Sequence, residues 1–397
     1  MKICYISNLY PPAVLGGAEI IVQKTAKAMK KRGHDVVVIT TTVDSDEHII
    51  DDDGIKVYQL NTTPLYPPYK QTEVGGIKKP LWHAFDLYNS KTRNRICEIL
   101  EDEDVDIIHL NNYKGLSMSV FEVGCKLGIP LIFESHDFSL ICPRANLIRG
   151  NNTLCLKCNI ACKVYVDIQR RLLGDNVDVL ISPSNFMINK YKENNFFKNT
   201  RCVKIPLATD KKTTKTTKSY DTIDITYIGT LGKHKGVQTI IEAFKQIDNE
   251  KLRLHIVGKG YDEQEFKQMA EGDERIIFYG FVENSEIEKF YDMSNIIIIA
   301  SICYDNSPMV IYESFSRSTP VIGSNIGGIP ELITNGYNGL LFEADNPSDL
   351  KDKIIKLADD VELLKSFEDN ASKTLPNDSM KIMIDKLEKE YENILEK

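Results

Sequence analysis

Two carboxylates eight residues apart, Asp305 and Glu313, sit in "ASICYDNSPMVIYESFSRSTPVIGSNIGGIPELI". The apolar run Asn295–Ala300 reads as a strand, Asp305 and Asn306 as the loop after it, and Ser307 and Pro308 as the cap and first position of a helix carrying Glu313. One carboxylate on a loop and another a turn and a half into a helix can hold two parts of one ligand. Gly327 and Gly328 then precede "IPELI", where glycine lets a ligand approach the backbone and helix N–H groups attract negative oxygens.

Three further places could do related chemistry. In "YIGTLGKHKGVQTIIEAF", Gly229 and Thr230 open a loop containing Lys233, His234, Lys235 and Gly236, whose cations could neutralise a diphosphate without a metal ion. A solvated charged turn is the alternative. In "SNLYPPAVLGGAEIIVQ", a strand ends near Ser7 and Gly16 and Gly17 open a helix, as a phosphate or sugar cradle or as a tight turn. The motif is neither G-x-G-x-x-G nor G-x-x-x-x-G-K-[ST]. In "LIFESHDF", His136 follows a strand end with Asp137 beside it; His109 in "DIIHLNN" is the weaker of the two histidine candidates.

The cysteines Cys142, Cys155, Cys158 and Cys162 supply four soft ligands, enough for a structural zinc. Four unliganded thiols are the equal alternative; a disulfide pair and an iron–sulfur cluster rank lower. The acidic runs "DDDG" and "EDEDVD" read as solvated turns at element edges rather than as a metal motif.

The elements that must position these residues follow from periodicity. "KICYIS", "DVVVITT", "IKVYQL", "VDIIHL", "IPLIFES", "VDVLISPS" and "CVKIPLA" alternate with amphipathic stretches, the pattern of parallel strands and crossover helices. The Lys/Thr-rich segment from Ala208 to Asp224 reads as an exposed connection, after which "ITYIGT", "LRLHIVG", "RIIFYG", "NIIIIAS", "TPVIGS" and "NGLLFE" restart the pattern. The expected class is α/β: two doubly wound, Rossmann-like domains, residues 1–208 and 224–378, joined by a linker, 209–223. A C-terminal helix of about 379–397, with Ile382, Ile384, Leu387, Tyr391 and Leu395 at helical spacing, is expected to pack back on the first domain. Ligands of such sheets bind at the carboxyl ends of the strands, so the site is expected in the cleft between the domains.

Composition narrows the function. Forty-nine basic residues against 57 acidic give a net charge of −8, the wrong sign for nucleic-acid binding. The apolar N-terminal run is too short for a signal peptide and no run reaches a membrane span, so a cytoplasmic protein is expected. Lys24, Lys27, Lys30, Lys31 and Arg32 offer a basic face that could rest on the inner membrane, with a solvated helix face as the alternative.

Together "GGAE", the histidine of "SHDF", "GTLGKHKG" and the acid-x7-acid block with "GGIPELI" resemble, in that order, the retaining GT-B-fold nucleotide-sugar glycosyltransferases of group 1, family 4. The subset with "HDF…CPR" and following cysteines is the nearest match, which places the cysteines on an acceptor-side loop. The resemblance implies that Glu313 binds the donor ribose and Asp305, with Asn306 and Ser307, lies by the donor sugar. It implies that Lys235, with Gly229, Thr230 and Lys233, meets the diphosphate, and that His136 lies beside the transferred sugar. Gly16, Gly17, Gly327 and Gly328 would approach the donor, no metal would be required for catalysis, and the acceptor would be a glycan, a lipid-linked sugar or a small molecule. Two departures stand out: Asp305 replaces the usual Glu, and Thr230 the Arg of many relatives, for which Lys233 is the candidate substitute. A GT-B-like epimerase and a cysteine-centred metal or redox protein are the competing classes. A nicotinamide dehydrogenase fits poorly, since no acid closes "DVVVITT".

Overall fold

The computed structural model describes all residues except 15, 43–45, 63–77, 151–152, 210–212, 215, 284 and 397. Contacts divide the chain into two units: Met1–Asn146 with Lys157–Pro206 and Ile382–Lys397, and Leu147–Leu156 with Leu207–Lys381. The expected first domain thus loses Leu147–Leu156, and most of the C-terminal helix Ser379–Leu395 counts with the first unit.

The first unit holds β1 (Lys2–Ile6), β2 (Asp35–Thr41), β3 (His48–Asp52), β4 (Ile55–Leu60), β5 (Ile107–Leu110), β6 (Leu131–Glu134), β7 (Val179–Ser182) and β8 (Arg201–Lys204). Their order is β3-β4-β2-β1-β5-β6-β7-β8, parallel except for β3. The seven parallel strands are those the apolar runs announce. The additional β3 pairs antiparallel with β4 across Asp53 and Gly54, both at positive φ, so "DDDG" is a hairpin turn.

The second unit holds β9 (Ile223–Ile228), β10 (Leu252–Val257), β11 (Ile276–Gly280), β12 (Ile296–Ile299), β13 (Val321–Ser324) and β14 (Gly339–Phe342), in the all-parallel order β11-β10-β9-β12-β13-β14. Its core packs the helix Val237–Lys245, through Val237, Ile240, Ile241 and Phe244, against Ile225, Leu254 and Ile298 of the sheet.

Two polar segments are less exposed than their composition implies. The described part of the connection is bonded to its own unit: Thr214 N–H donates to Ser316 O at 2.8 Å, Lys218 Nζ to Thr319 Oγ1 at 2.6 Å, and Tyr220 OH to Glu368 Oε2 at 2.6 Å. Residues 210–212 and 215 of it lie outside the described residues. Burial pushes the Lys218 ammonium down to about 8, against the opposing pull of Glu368 and Asp292. In "EDEDVD", Glu103 is buried, not solvated: its carboxylate accepts from Lys2 Nζ at 2.8 Å and from Lys56 and Tyr58.

Burial alone would raise the Glu103 carboxyl, but those three donors hold it down at about 2. A depressed carboxylate contributes stability that is complete above its unfolded value and fades as pH falls toward its folded one. Glu103→Gln is therefore expected to cost about 1–2 kcal/mol at pH 7, discounted for the half-exposed Lys56, and to lower Tm by about 2–4 °C. Melts repeated from pH 4.5 downward check it, since the gap between the two proteins should close there.

Candidate active site

In the second unit the chain winds outward from β9 to β11 on one side and from β12 to β14 on the other. In doubly wound sheets the ligand crevice lies at such a reversal, which here falls between the loops after β9 and β12. Lys235 is on the first loop and Asp305 on the second. The loops touch through backbone: Ile302 N–H donates to His234 O at 3.0 Å, and a Cβ on Gly236, at φ +72°, would stand 1.9 Å from Ala300 O. Only glycine fits there.

This contact sets Lys235 Nζ 2.6 Å from Asp305 Oδ1, while Ser301 Oγ donates to Oδ2 at 2.5 Å. Burial would raise the Asp305 carboxyl, yet the Lys235 charge and these hydrogen bonds hold it below the ordinary carboxylate range. Burial likewise opposes the Lys235 charge, and Asp305 more than offsets it. The result is a fixed ion pair at the mouth of the crevice. An ammonium has three donors, so Lys235 keeps capacity for a ligand oxygen.

Glu313 projects from the helix Met309–Ser316, and the buried phenol of Tyr291 donates to its Oε2 at 2.5 Å. One carboxylate oxygen is thereby fixed. Ser307 does not cap this helix: Pro308 occupies the cap position, and Ser307 Oγ bonds Tyr312 OH at 2.9 Å instead. Asn306 is buried beside Asp305 in sequence. Gly229 closes β9, and the exposed Thr230 receives the Tyr227 hydroxyl on its carbonyl. Lys233 does not stand as a spare cation, because its Nζ pairs with Glu265 at 2.7 Å.

Gly327 and Gly328 are braces. Gly328 N–H donates to Asp305 O at 2.7 Å, and a Cβ on Gly327, at φ +66°, would lie 2.5 Å from that oxygen. The expected helix after them is a single 3-10 turn, Ile329–Glu331, too short for an anion-binding dipole.

In the first unit the reversal lies between β1 and β5. Gly17 begins the helix Gly17–Lys31, and Gly16 N–H donates to the buried Glu19 carboxylate at 2.9 Å, as in a capping box. The Gly16 amide is therefore already taken. Unlike Gly327, Gly16 has ordinary extended backbone and room for a Cβ, whose nearest contact would be 3.8 Å away. At the end of β1, Ser7 Oγ and Asn8 Oδ1 have no partner among the described residues.

His136 follows β6 and bonds Asn111 Oδ1 through Nε2 at 2.9 Å. An amide oxygen only accepts, so Nε2 carries a proton in this bond, and Nδ1 can accept whenever the ring is neutral. Glu134 Oε1 lies 3.9 Å from that Nε2, and Oε2 lies 3.1 Å from His109 Nε2 without a well-directed hydrogen bond. Burial would raise Glu134, but His109 and His136 together keep it below its ordinary value. His109 Nδ1 and Tyr5 OH both meet Tyr391 OH of the C-terminal helix, at 2.5 and 2.9 Å. His109 is thus a structural histidine.

The cysteines do not gather into a centre. Cys142 is buried, Cys155, Cys158 and Cys162 are half-buried, and Cys155 counts with the second unit. Among the described residues, no three His, Cys, Asp or Glu side chains stand close enough to hold a metal ion. A zinc ion fits these four thiols poorly as they stand.

Sequence reasoning missed Tyr291, Ser301, Asn111 and Glu134. Ser301 could have been found, since it directly follows a strand at its active edge; Tyr291 has no local signal, because it lies on a different helix from its partner.

Residues 209–374 match the family described as Glycosyl transferases group 1, and residues 16–208 the Glycosyl transferase 4-like domain. Both matched families are glycosyltransferase families, and the chain is a glycosyltransferase. An uncharacterized 42.6 kDa protein in the cps region of Klebsiella pneumoniae is 27% identical to this glycosyltransferase over 334 residues, 84% of this chain and 87% of that one. Among solved structures, sucrose-phosphate synthase from Thermosynechococcus elongatus superposes with a TM-score of 0.77 at 18% identity, over 99% of this chain and 98% of that one. Anabaena HepE in complex with UDP superposes with a TM-score of 0.73 at 16% identity, over 99% and 100%. The fold is GT-B.

The two glycine turns of the glycosyltransferase should respond oppositely to a methyl group. Gly327→Ala, which forces both a positive φ and a backbone clash, is expected to cost at least about 2 kcal/mol and lower Tm. Gly16→Ala should stay within about 0.5 kcal/mol of the parent in the same melts.

Proposed function

We propose that this glycosyltransferase moves a sugar from a nucleotide-diphosphate sugar to a glycan, lipid-linked or small-molecule acceptor, with retention of anomeric configuration and without a required metal ion. The observation that carries the reading is the Lys235–Asp305 pair and Tyr291-braced Glu313 at the crevice of the second sheet. A structural neighbour of the same fold, HepE, is known in complex with UDP and in complex with UDP-glucose.

The chemistry follows from charge. Cleaving the bond between sugar and diphosphate builds positive charge on the sugar carbon and negative charge on the leaving oxygens. Lys235, already oriented by Asp305, meets that developing negative charge at little reorganisation cost. Glu313 keeps Oε1 to accept from ribose hydroxyls, since Tyr291 occupies Oε2. Asp305, with its second oxygen on Ser301, is the candidate acceptor for a donor-sugar hydroxyl. In the first unit, Nδ1 of His136 is the candidate acceptor for a hydroxyl of the transferred sugar, and the spare room at Gly16 suits close approach of a ligand. The relative in a cps region favours a cell-surface polysaccharide as the product.

A thermal-shift panel of nucleotide sugars tests the donor: one class of donor should raise Tm, by about 2.7 kcal/mol of linkage at a hundredfold excess over Kd. No shift with any donor would sink the proposal, and donor consumption without acceptor would turn it toward an epimerase. With the donor known, Lys235→Ala should lower kcat by about 10²–10³-fold, a chelator should leave the rate unchanged, and the product should keep the donor's anomeric configuration by NMR. Tyr291→Phe should raise donor KM about tenfold with kcat nearly constant, and the effect should vanish with a donor whose ribose lacks its hydroxyls.

A further inference from the structure

The helix Ile160–Leu173 of the first unit is apolar on two sides. Val166, Gln169 and Leu173 face the interior, while Ile160, Val164 and Ile168, four residues apart, form a second stripe that faces solvent. Ile160 is 81% exposed, Val164 52% and Ile168 38%. Three aliphatic side chains on one line exceed the scattered apolar exposure of an ordinary surface.

The charge around this stripe is reversed relative to the chain. On the helix itself the basic residues are Lys163, Arg170 and Arg171 and the only acid is Asp167, in a protein whose net charge is −8. Arg170 is paired with Asp167, whereas Lys163 and Arg171 stand exposed. Contrast the basic helix Gly17–Lys31, which the sequence offers either as a membrane face or as a solvated one. Its Lys27 binds Asp52 and Asp53, Lys30 the Gly54 carbonyl, and Arg32 at its C-cap Asp385 and Glu388.

We propose that the exposed stripe Ile160–Val164–Ile168, flanked by Lys163 and Arg171, docks the protein on an anionic lipid surface. The composition favours lipid over a protein partner. Protein hot spots centre on Trp, Tyr and Arg in packed pockets, whereas here short aliphatic chains stand out between basic residues, the arrangement of a helix lying in a membrane interface. Anionic headgroups would meet the arginines and lysines while the aliphatic chains enter the acyl boundary. The surface is independent of the donor reading, because none of its residues belongs to the crevice of either sheet.

The test is co-sedimentation of the full chain with vesicles of phosphatidylcholine, alone or with about one third phosphatidylglycerol. Binding to the mixed vesicles, reduced at least about tenfold by Ile160→Asp with Val164→Asp and about tenfold by Lys163→Glu with Arg171→Glu, is the expected result. Unchanged Tm in both variants shows that the fold is retained. The proposal is overturned by absence of binding to mixed vesicles, by equal binding of parent and variants, or by a dimer in sedimentation velocity that the aspartate pair dissolves without any vesicle binding.

Discussion

The second unit is organised by a contact between two backbones, where Gly236 approaches Ala300 so closely that no side chain fits between them. Parallel strands that wind in opposite directions leave their following loops free to splay apart. Here the missing Cβ and the His234–Ile302 hydrogen bond pull the loops together, and Lys235 meets Asp305 as a consequence. The glycine pair Gly327–Gly328 holds the same loop from its other side. Three adjacent strand ends thus fix one carboxylate, and the ion pair is a product of chain geometry before it is a matter of charge.

The first unit solves a different problem: how to keep a carboxylate charged in a core. Glu134 is enclosed, and an isolated buried carboxylate would take up a proton. His109 and His136 flank it, and His109 is in turn held by Tyr391, which reaches in from the C-terminal helix. The helix is further fastened by Arg32 and His34 to Glu388 and by Arg201 to Glu390. A residue near the chain's end therefore helps orient a histidine at a strand's active edge.

Much of this was legible in the sequence, and the failures share a cause. Apolar runs mark the central strands, which are buried on both faces, and also the parallel edge strands β8 and β11, which are less buried. The strand "HIIDD" lies on an edge with its residues half-buried or exposed and ends in two acids, and it carries no such mark. Polarity was taken as exposure for Lys218 and Glu103, yet both are buried because hydrogen bonds and opposite charges offset the loss of water. Composition records the polar group and not its partner. The same blindness covers the two glycine pairs, which read alike as letters although Gly327 is demanded by backbone geometry and Gly16 is not.

That last difference bears on how a site can be recognised at all. A glycine that the fold requires says nothing about ligands, because its replacement fails before any ligand arrives. A glycine in ordinary extended backbone, with space beside it, ends the same connection between β1 and the helix Gly17–Lys31 that begins with Ser7 and Asn8, whose Oγ and Oδ1 lack partners among the described residues. Natural structures leave few buried polar atoms unsatisfied. Unpaired polar atoms at a strand's carboxyl end therefore argue for an incoming hydroxyl or phosphate more strongly than the glycine motif does. In the second unit the inference runs the other way: its charged groups are already paired with one another, so a ligand must share Lys235 with Asp305 and Glu313 with Tyr291. Such sharing fixes direction, since each paired group offers only the donors or lone pairs that its partner leaves open.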